Sequence, residues 1–391
     1  MKFFPCLLFV SALWSLLVSD VVMGQPPVNW SAQRPNPVQQ YNTGDTFETA
    51  PDGPALSGVI NPSPNDFRGY GVLFVPPSSI GGNRQLFCRT MEGNYFERLA
   101  SATVRDEATV AHLVRLTNSV TGTRDYVFNT YISAIDTLKV WMSVSTTPDG
   151  SVRIDKYPSY ATVYTGTETI RSVSATVLND VFYIAIGLVN SGRIAIITTT
   201  DMTNFVDRGY VTDSNNVPIQ TTLDFTLFAA ASPDPAQVGG ALYLYHACPS
   251  CVPGAFAARV IRAVSVTTTP IIFGLNTAMI VNDLFFATMT GTASAVAIDY
   301  NQVLLVRSGS QSPTGRPVTI WWCLLNTTQS TRTGEFQLID YLTGDPALTS
   351  FTPAVIFDRF AGDAALTGTA AIMWSNYGDN LLYSFVGYPF G

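Results

Sequence analysis

The carboxylates have the most chemistry to offer in this chain, and five of them stand at or near the ends of apolar runs. Asp106 and Glu107 precede a run that begins at Ala108, Asp224 lies near the start of another, and Asp299 and Asp358 close two more. Cleaving a glycosidic bond takes two carboxyl groups facing across it, one as acid and one as base or nucleophile. Asp106, Glu107 and Asp224 form the candidate set, with Asp299 a further member. Successive side chains on a strand point to opposite faces, so Asp106 and Glu107 cannot both look into one cavity. The plain alternative is that all five are turn or strand-end residues in water.

Of the five cysteines, Cys6 falls in the leader described below, and Cys88, Cys248, Cys251 and Cys323 remain. In an oxidising compartment these four should pair, in one of three connectivities. The run His246-Ala247-Cys248-Pro249-Ser250-Cys251 also holds the residue types of a zinc site or a redox dithiol. Neither a second ligand pair nor a βαβ pattern accompanies it, so the disulfide reading leads. His112, mid-strand between Ala111 and Leu113, reads as a hydrogen-bonded structural residue. No nucleophile elbow, phosphate-binding glycine loop or paired-histidine helix occurs, and the sequence implies neither a metal nor a cofactor.

Trp321 and Trp322 are neighbours on an apolar run. One should pack between sheets while the other faces away, where a ring can stack on a sugar or anchor a partner. The competing reading has both filling the space between sheets.

Composition narrows the partners. Charged residues are 13% of the 391, against about 25% in an ordinary domain, so the polar surface comes from Thr, Ser, Asn and Gly. The net charge of −7 contains no block of like sign, which argues against nucleic acid, because phosphate binding needs clustered Lys and Arg. Residues 1–24, with Lys2, an apolar run from Phe3 to Val18 and small residues before Gln25, read as a signal peptide. The expected location is therefore secreted and extracellular, with no membrane span after cleavage. The sequons at Asn29 and Asn326 agree with that route as glycosylation sites.

The elements that must position these residues are short strands. Residues 25–66 are rich in Pro and Gly and read as an extended arm, which can supply one strand through Ala55 to Ile60. From residue 67 to 391 a pattern of up to four apolar runs recurs, first runs beginning near Phe67, Ala108, Ser174, Thr222, Thr292 and Thr352. Its clearest copy is Ser174 to Val211, four runs joined by turn formers at Asn179-Asp180, Asn190-Ser191-Gly192 and Asp201 to Asn204. Tight turns between such runs make antiparallel meanders. The expected fold is all-β, a β-propeller of five or six four-stranded antiparallel blades, with a strand from the arm completing a sheet and closing the ring. A pair of β-sandwiches is the alternative.

The end of that copy, Thr199-Thr200-Asp201-Met202-Thr203-Asn204-Phe205 with Gly209 following, resembles the corner repeated in the five-bladed propellers of arabinanase-like and invertase-like glycosidases. The resemblance covers about one blade and implies blade architecture, with Asp201 and Phe205 holding the corner rather than doing chemistry. In those families the catalytic carboxylates lie on the innermost strands around a central cavity. Arg68 in Phe67-Arg68-Gly69-Tyr70 is placed as in sialic-acid enzymes and joins Trp321 and Trp322 as a ligand-binding candidate, although the repeated boxes of that family are absent. The expectation drawn from the whole is a non-catalytic, secreted binder of a glycan or extracellular matrix component. The alternative is a glycoside hydrolase using cavity carboxylates, and the third reading is a structural matrix protein.

Overall fold

The computed structural model of the chain is all-β and built of antiparallel sheets. It describes residues 28–32, 39–40, 55–59, 70–75, 84–88, 96–98, 110–118, 122–134, 136–145, 153–155, 161–221, 225–231, 240–248, 258–280, 288–297, 302–310, 319–326, 331–332, 336–337, 349–359, 368–377 and 381–389. Side chains are described within 136–140, 161–221, 225–229, 240–246, 258–275, 303–306 and 321–326, and at 248 and 295. The expected signal peptide lies outside these residues.

The described strands form six sheets, each a meander or nearly so. Sheet one joins Ala55–Val59, Tyr70–Val75, Arg84–Cys88 and Phe96–Arg98. Sheet two runs Val110–Asn118, Gly122–Ala134 and Thr137–Ser145, and both Arg153–Asp155 and Ala161–Thr165 pair with the last of these. Sheet three is Ile170–Leu178, Val181–Leu188, Ile194–Thr199 and Val206–Tyr210. Sheet four is Phe225–Ala231, Gly240–Ala247, Ala258–Ser265 and Ile272–Ile280, with Thr212–Asp213 added parallel to the last. Sheet five is Thr288–Ala297, Gln302–Ser310 and Thr319–Asn326, edged by Thr331–Arg332 and Phe336–Gln337.

Sheet six is Thr349–Arg359, Gly368–Tyr377 and Leu381–Pro389, and its outer strand is Val28–Ala32 from near the start of the chain. Residues read from sequence as an arm therefore enter two sheets. Ala55–Val59 pairs with Tyr70–Val75 in sheet one, and Val28–Ala32 pairs with Leu381–Pro389 in sheet six.

Sheet three shows why the sequence folds this way. Leu178 faces Val181 across the two-residue turn Asn179-Asp180. Both turn residues have positive φ, 50° and 56°, as the type I′ hairpin turn demands and as Asn and Asp tolerate. The second and third strands are buried along almost their whole length, because apolar layers cover both faces. Phe182, Ile184 and Ile186 turn toward Leu138 and Val140 of sheet two. Tyr183 and Ala185, one residue out of phase, turn toward Leu242, Leu244, Ile261 and Phe273 of sheet four. Phe228, Tyr243, Tyr245 and Val260 of sheet four pack in turn on Val303, Leu305, Cys323 and Leu325 of sheet five. Each fully buried large side chain stabilises by about 1.5 to 3 kcal/mol, so this face-to-face packing dominates the energetics.

One strand expectation fails in sheet four. The fourth run, read from the β-branched residues Val266 to Phe273, is a succession of bends through Pro270, and the strand begins at Ile272. Thr267, Thr268 and Thr269 have strand propensity, but they are exposed and have no apolar alternation to bury. The strand Ala161–Thr165 was not among the sequence-derived runs.

Candidate functional site

Sheets three and four place the beginnings of their first strands at the same end of the molecule. Ile170 starts its strand opposite Leu188, and a Cβ built on Gly187 would come within 2.6 Å of Phe225 Cε1 and 3.1 Å of Ser172 Oγ. Phe225 is the first residue of the first strand of sheet four. Deeper in, Ser174 Oγ accepts a hydrogen bond from the Leu227 amide at 3.0 Å, tying the two first strands directly. At this end the turn 189–193 is clamped from two sides. Ser191 N donates to Glu168 Oε2 at 2.7 Å, Gln220 Nε2 donates to Ser191 O at 2.9 Å, and Thr221 N donates to Gly192 O at 2.8 Å. Gly192 has φ of 65°, and a Cβ there would meet Thr221 O at 2.9 Å, so glycine is the residue that both fits and turns.

Asp224 directly precedes Phe225, and Asp106 and Glu107 stand just ahead of Val110–Asn118. All three carboxylates lie outside the described residues, as do Arg68, Cys251 and Asp299. Asp358, His112, Cys88 and Asn29 sit in described strands, but their side chains are outside the description. Asn326 ends the strand Thr319–Asn326, half-buried.

The tryptophans correct one expectation. Trp321 is 4% and Trp322 2% exposed, so neither ring faces solvent. Their strand is buried over 321–325, so the sequence rule that sends alternate residues to solvent does not apply here. The cysteines correct another. Cys323 is buried among the Phe228, Tyr243 and Tyr245 side chains and forms no disulfide, so the four cysteines do not all pair. A thiol in the middle of a packed strand behaves as a small apolar side chain.

His246 is fully buried, and its Nε2 accepts a hydrogen bond from Arg259 Nε at 2.8 Å. An accepting Nε2 belongs to a neutral ring with its proton on Nδ1. That nitrogen is thus taken by a cation donor, which removes it from the zinc reading of the His246 to Cys251 run. Burial pulls the Arg259 guanidinium below its usual value, against the opposing field of Asp213. Among the described residues no three His, Cys, Asp or Glu side chains gather to hold a metal.

The corner Thr199 to Asn204 is a capping device. Asp201 Oδ1 accepts from the amides of Thr203 at 2.8 Å and Asn204 at 2.7 Å, and Oδ2 accepts from Asn204 Nδ2 at 2.6 Å. Thr199 Oγ1 receives the Met202 amide at 2.9 Å, and Met202, fully buried at φ 55°, plugs the corner. Partial burial acts to raise the Asp201 carboxyl, but the donors from Asn204, Thr203 and Thr199 outweigh it and hold the group at about 2. Asp207 caps Gly209 N at 2.7 Å, and Asp213 caps Asn215 and Val217 at 2.8 and 2.9 Å. With Glu168 on Ser191, these four carboxylates are committed to backbone amides. Asp213 and Glu168 were not singled out from sequence, although the run Asp213-Ser214-Asn215-Asn216 carries the Asx-turn signal.

No protein-family model matches the chain, and no curated protein sequence matches it. Solved structures do. The α-L-arabinofuranosidase Arb93A of Fusarium graminearum, in complex with an iminosugar inhibitor, aligns with a TM-score of 0.56 at 11% identity, over 87% of this chain and 94% of that one. The same organism's GH93 α-L-arabinofuranosidase with arabinobiose gives 0.54 at 11% identity, over 87% and 93%. AofleA of Arthrobotrys oligospora gives 0.50 at 10% identity, over 92% and 86%. The expectation of a non-catalytic binder rested on the want of an evident acid/base set, and it is overturned by the catalytic glycosidases among these neighbours. At this identity the likeness is one of fold, and in fold this chain resembles the β-propeller glycosidases.

Proposed function

We propose that the chain is a secreted glycoside hydrolase built on a six-bladed propeller, acting on a carbohydrate of the arabinose-containing class. The observation that carries this is the alignment with arabinofuranosidases over nearly the whole of both chains. The blade count is supported by the order in which first strands lie side by side. Ala55–Val59, Val110–Asn118, Ile170–Leu178, Phe225–Ala231, Thr288–Ala297 and Thr349–Arg359 adjoin in succession, and the last adjoins the first. In this reading Val28–Ala32 closes the ring as the outer strand of the final blade, pairing the first described strand with the last.

The catalytic work is assigned to Asp224 and to one of Asp106 and Glu107, which precede first strands in the sequence. Glu168, Asp201, Asp207 and Asp213 are occupied with backbone amides and are not assigned to catalysis. One carboxyl protonates the leaving oxygen, and the other acts as base on water or as nucleophile at the anomeric carbon. Arg68 joins them as a substrate contact. Secretion follows from the leader over residues 1–24, with Asn29 and Asn326 as glycosylation sites. Cys248 is held in a disulfide, and Cys251, three residues on, is assigned as its partner. A panel of aryl glycosides and linear arabinan tests the reading: release of reducing sugar supports it, and inertness toward the whole panel refutes it.

A further inference from the structure

At the end where the first strands of sheets three and four begin, a second set of sugar-compatible groups lies on outer strands of sheets two and three. Tyr164 is the last but one residue of the edge strand Ala161–Thr165 of sheet two, and Tyr210 ends the outer strand of sheet three. Both are half-buried and pack against the core between those two sheets. Arg193 directly precedes the third strand of sheet three, and its guanidinium lies over the Tyr210 ring, 5.1 Å from the centroid. Its Nε is buried without a hydrogen-bond partner. The set is rigidly mounted. Arg193 N donates to Ser191 Oγ at 3.2 Å, and Ser191 is itself clamped by Glu168 and Gln220. Gly166 makes room for Tyr164, because a Cβ there would meet the phenol oxygen at 2.6 Å.

We propose that Tyr164, Tyr210 and Arg193 form a distal saccharide-binding subsite, which takes a neutral sugar unit of a polymeric substrate. This rests on the glycosidase reading. Phenol hydroxyls donate and accept, and the guanidinium donates only, which matches sugar hydroxyls that do both. The unsatisfied Arg193 Nε is a buried donor that an arriving hydroxyl can satisfy. Burial, with the nearby Tyr210, Asp207, Glu168 and Asp136, raises Tyr164 above the ordinary phenol value, so its hydroxyl stays a donor at neutral pH. That same acidic surround opposes an anionic ligand and favours a neutral one. Tyr210 stands three strands out from the first strand of its sheet, about 14 Å at the usual strand spacing, so a short substrate held at the first strands does not reach it.

Native gel electrophoresis through linear arabinan, with galactan and xylan as parallel gels, tests the subsite independently of turnover. The wild-type protein should be retarded in arabinan. Arg193→Gln and the ring-preserving pair Tyr164→Phe with Tyr210→Phe should bind at least about five- to tenfold more weakly, the loss of one or two hydrogen bonds. Hydrolysis of a chromogenic aryl arabinofuranoside, which is too short to reach the subsite, should be unchanged. Wild-type mobility unaffected by all three polysaccharides overturns the subsite, as does equal retardation of wild type and variants. If retardation is lost in the variants while wild type hydrolyses no aryl glycoside, the subsite stands and the glycosidase reading falls.

Discussion

Ser174 Oγ accepts the Leu227 amide at 3.0 Å across the boundary between sheets three and four. It is a direct link between two first strands, each of which has its own sheet partner on one side only. Ser174→Ala should leave that amide without an acceptor and cost about 1 to 3 kcal/mol. Calorimetry would show a lowered Tm, and an unchanged Tm would mean that water replaces the serine.

Gly187 and Phe225 make the neighbouring contact. A methyl group at 187 would sit 2.6 Å from the Phe225 ring, so Gly187→Ala should destabilise by about 1 to 3 kcal/mol through overpacking. Phe225→Leu in the same chain should recover part of that loss. Denaturant titration of the single and double variants reads the coupling, and strict additivity would contradict the contact.

The pH dependence of the corner follows from Asp201. Its folded value of about 2 lies below the ordinary aspartate value, so the folded state holds the proton less tightly than the unfolded chain. The stabilisation is full above about pH 4 and is lost as the pH falls through about 2. The Tm gap between wild type and Asp201→Asn should therefore be widest at neutral pH and narrow on acidification. A gap that stays constant down to about pH 2 would contradict the capping role.

Thiol counting under denaturing, non-reducing conditions checks the cysteine assignment. On the chain without residues 1–24, a Cys248 to Cys251 disulfide leaves Cys88 and Cys323, so two thiols should react. Four would remove the disulfide, and none would mean that buried Cys323 is paired after all.

Much of this was legible in the sequence wherever turn chemistry and burial agree. Asn179-Asp180 placed a hairpin and got one, and Thr199 to Phe205 announced a corner held by Asp201 rather than a reactive site. Ala161–Thr165 escaped notice because a short edge strand carries little apolar signal. Thr267 to Thr269 misled because β-branched residues favour strands only where a pleated, half-buried surface receives them. For Trp321 and Trp322 strand alternation alone sends one ring to solvent, whereas the competing reading has both filling the space between sheets. Alternation sorts residues that way only in a sheet with one wet face, and here both rings are buried. The distal tyrosines were invisible for a different reason. Tyr164 and Tyr210 are 46 positions apart in the sequence and meet only when sheets two and three pack.

The central claim is most directly tested by initial rates of sugar release from linear arabinan by the wild-type protein and by Asp106→Asn, Glu107→Gln and Asp224→Asn. The account predicts hydrolysis by wild type. It also predicts a loss of at least about a hundredfold, the low end for removing a general acid or base, in Asp224→Asn and in one of the other two, with Tm preserved. Full activity in all three variants, or no hydrolysis by the wild type, would contradict it.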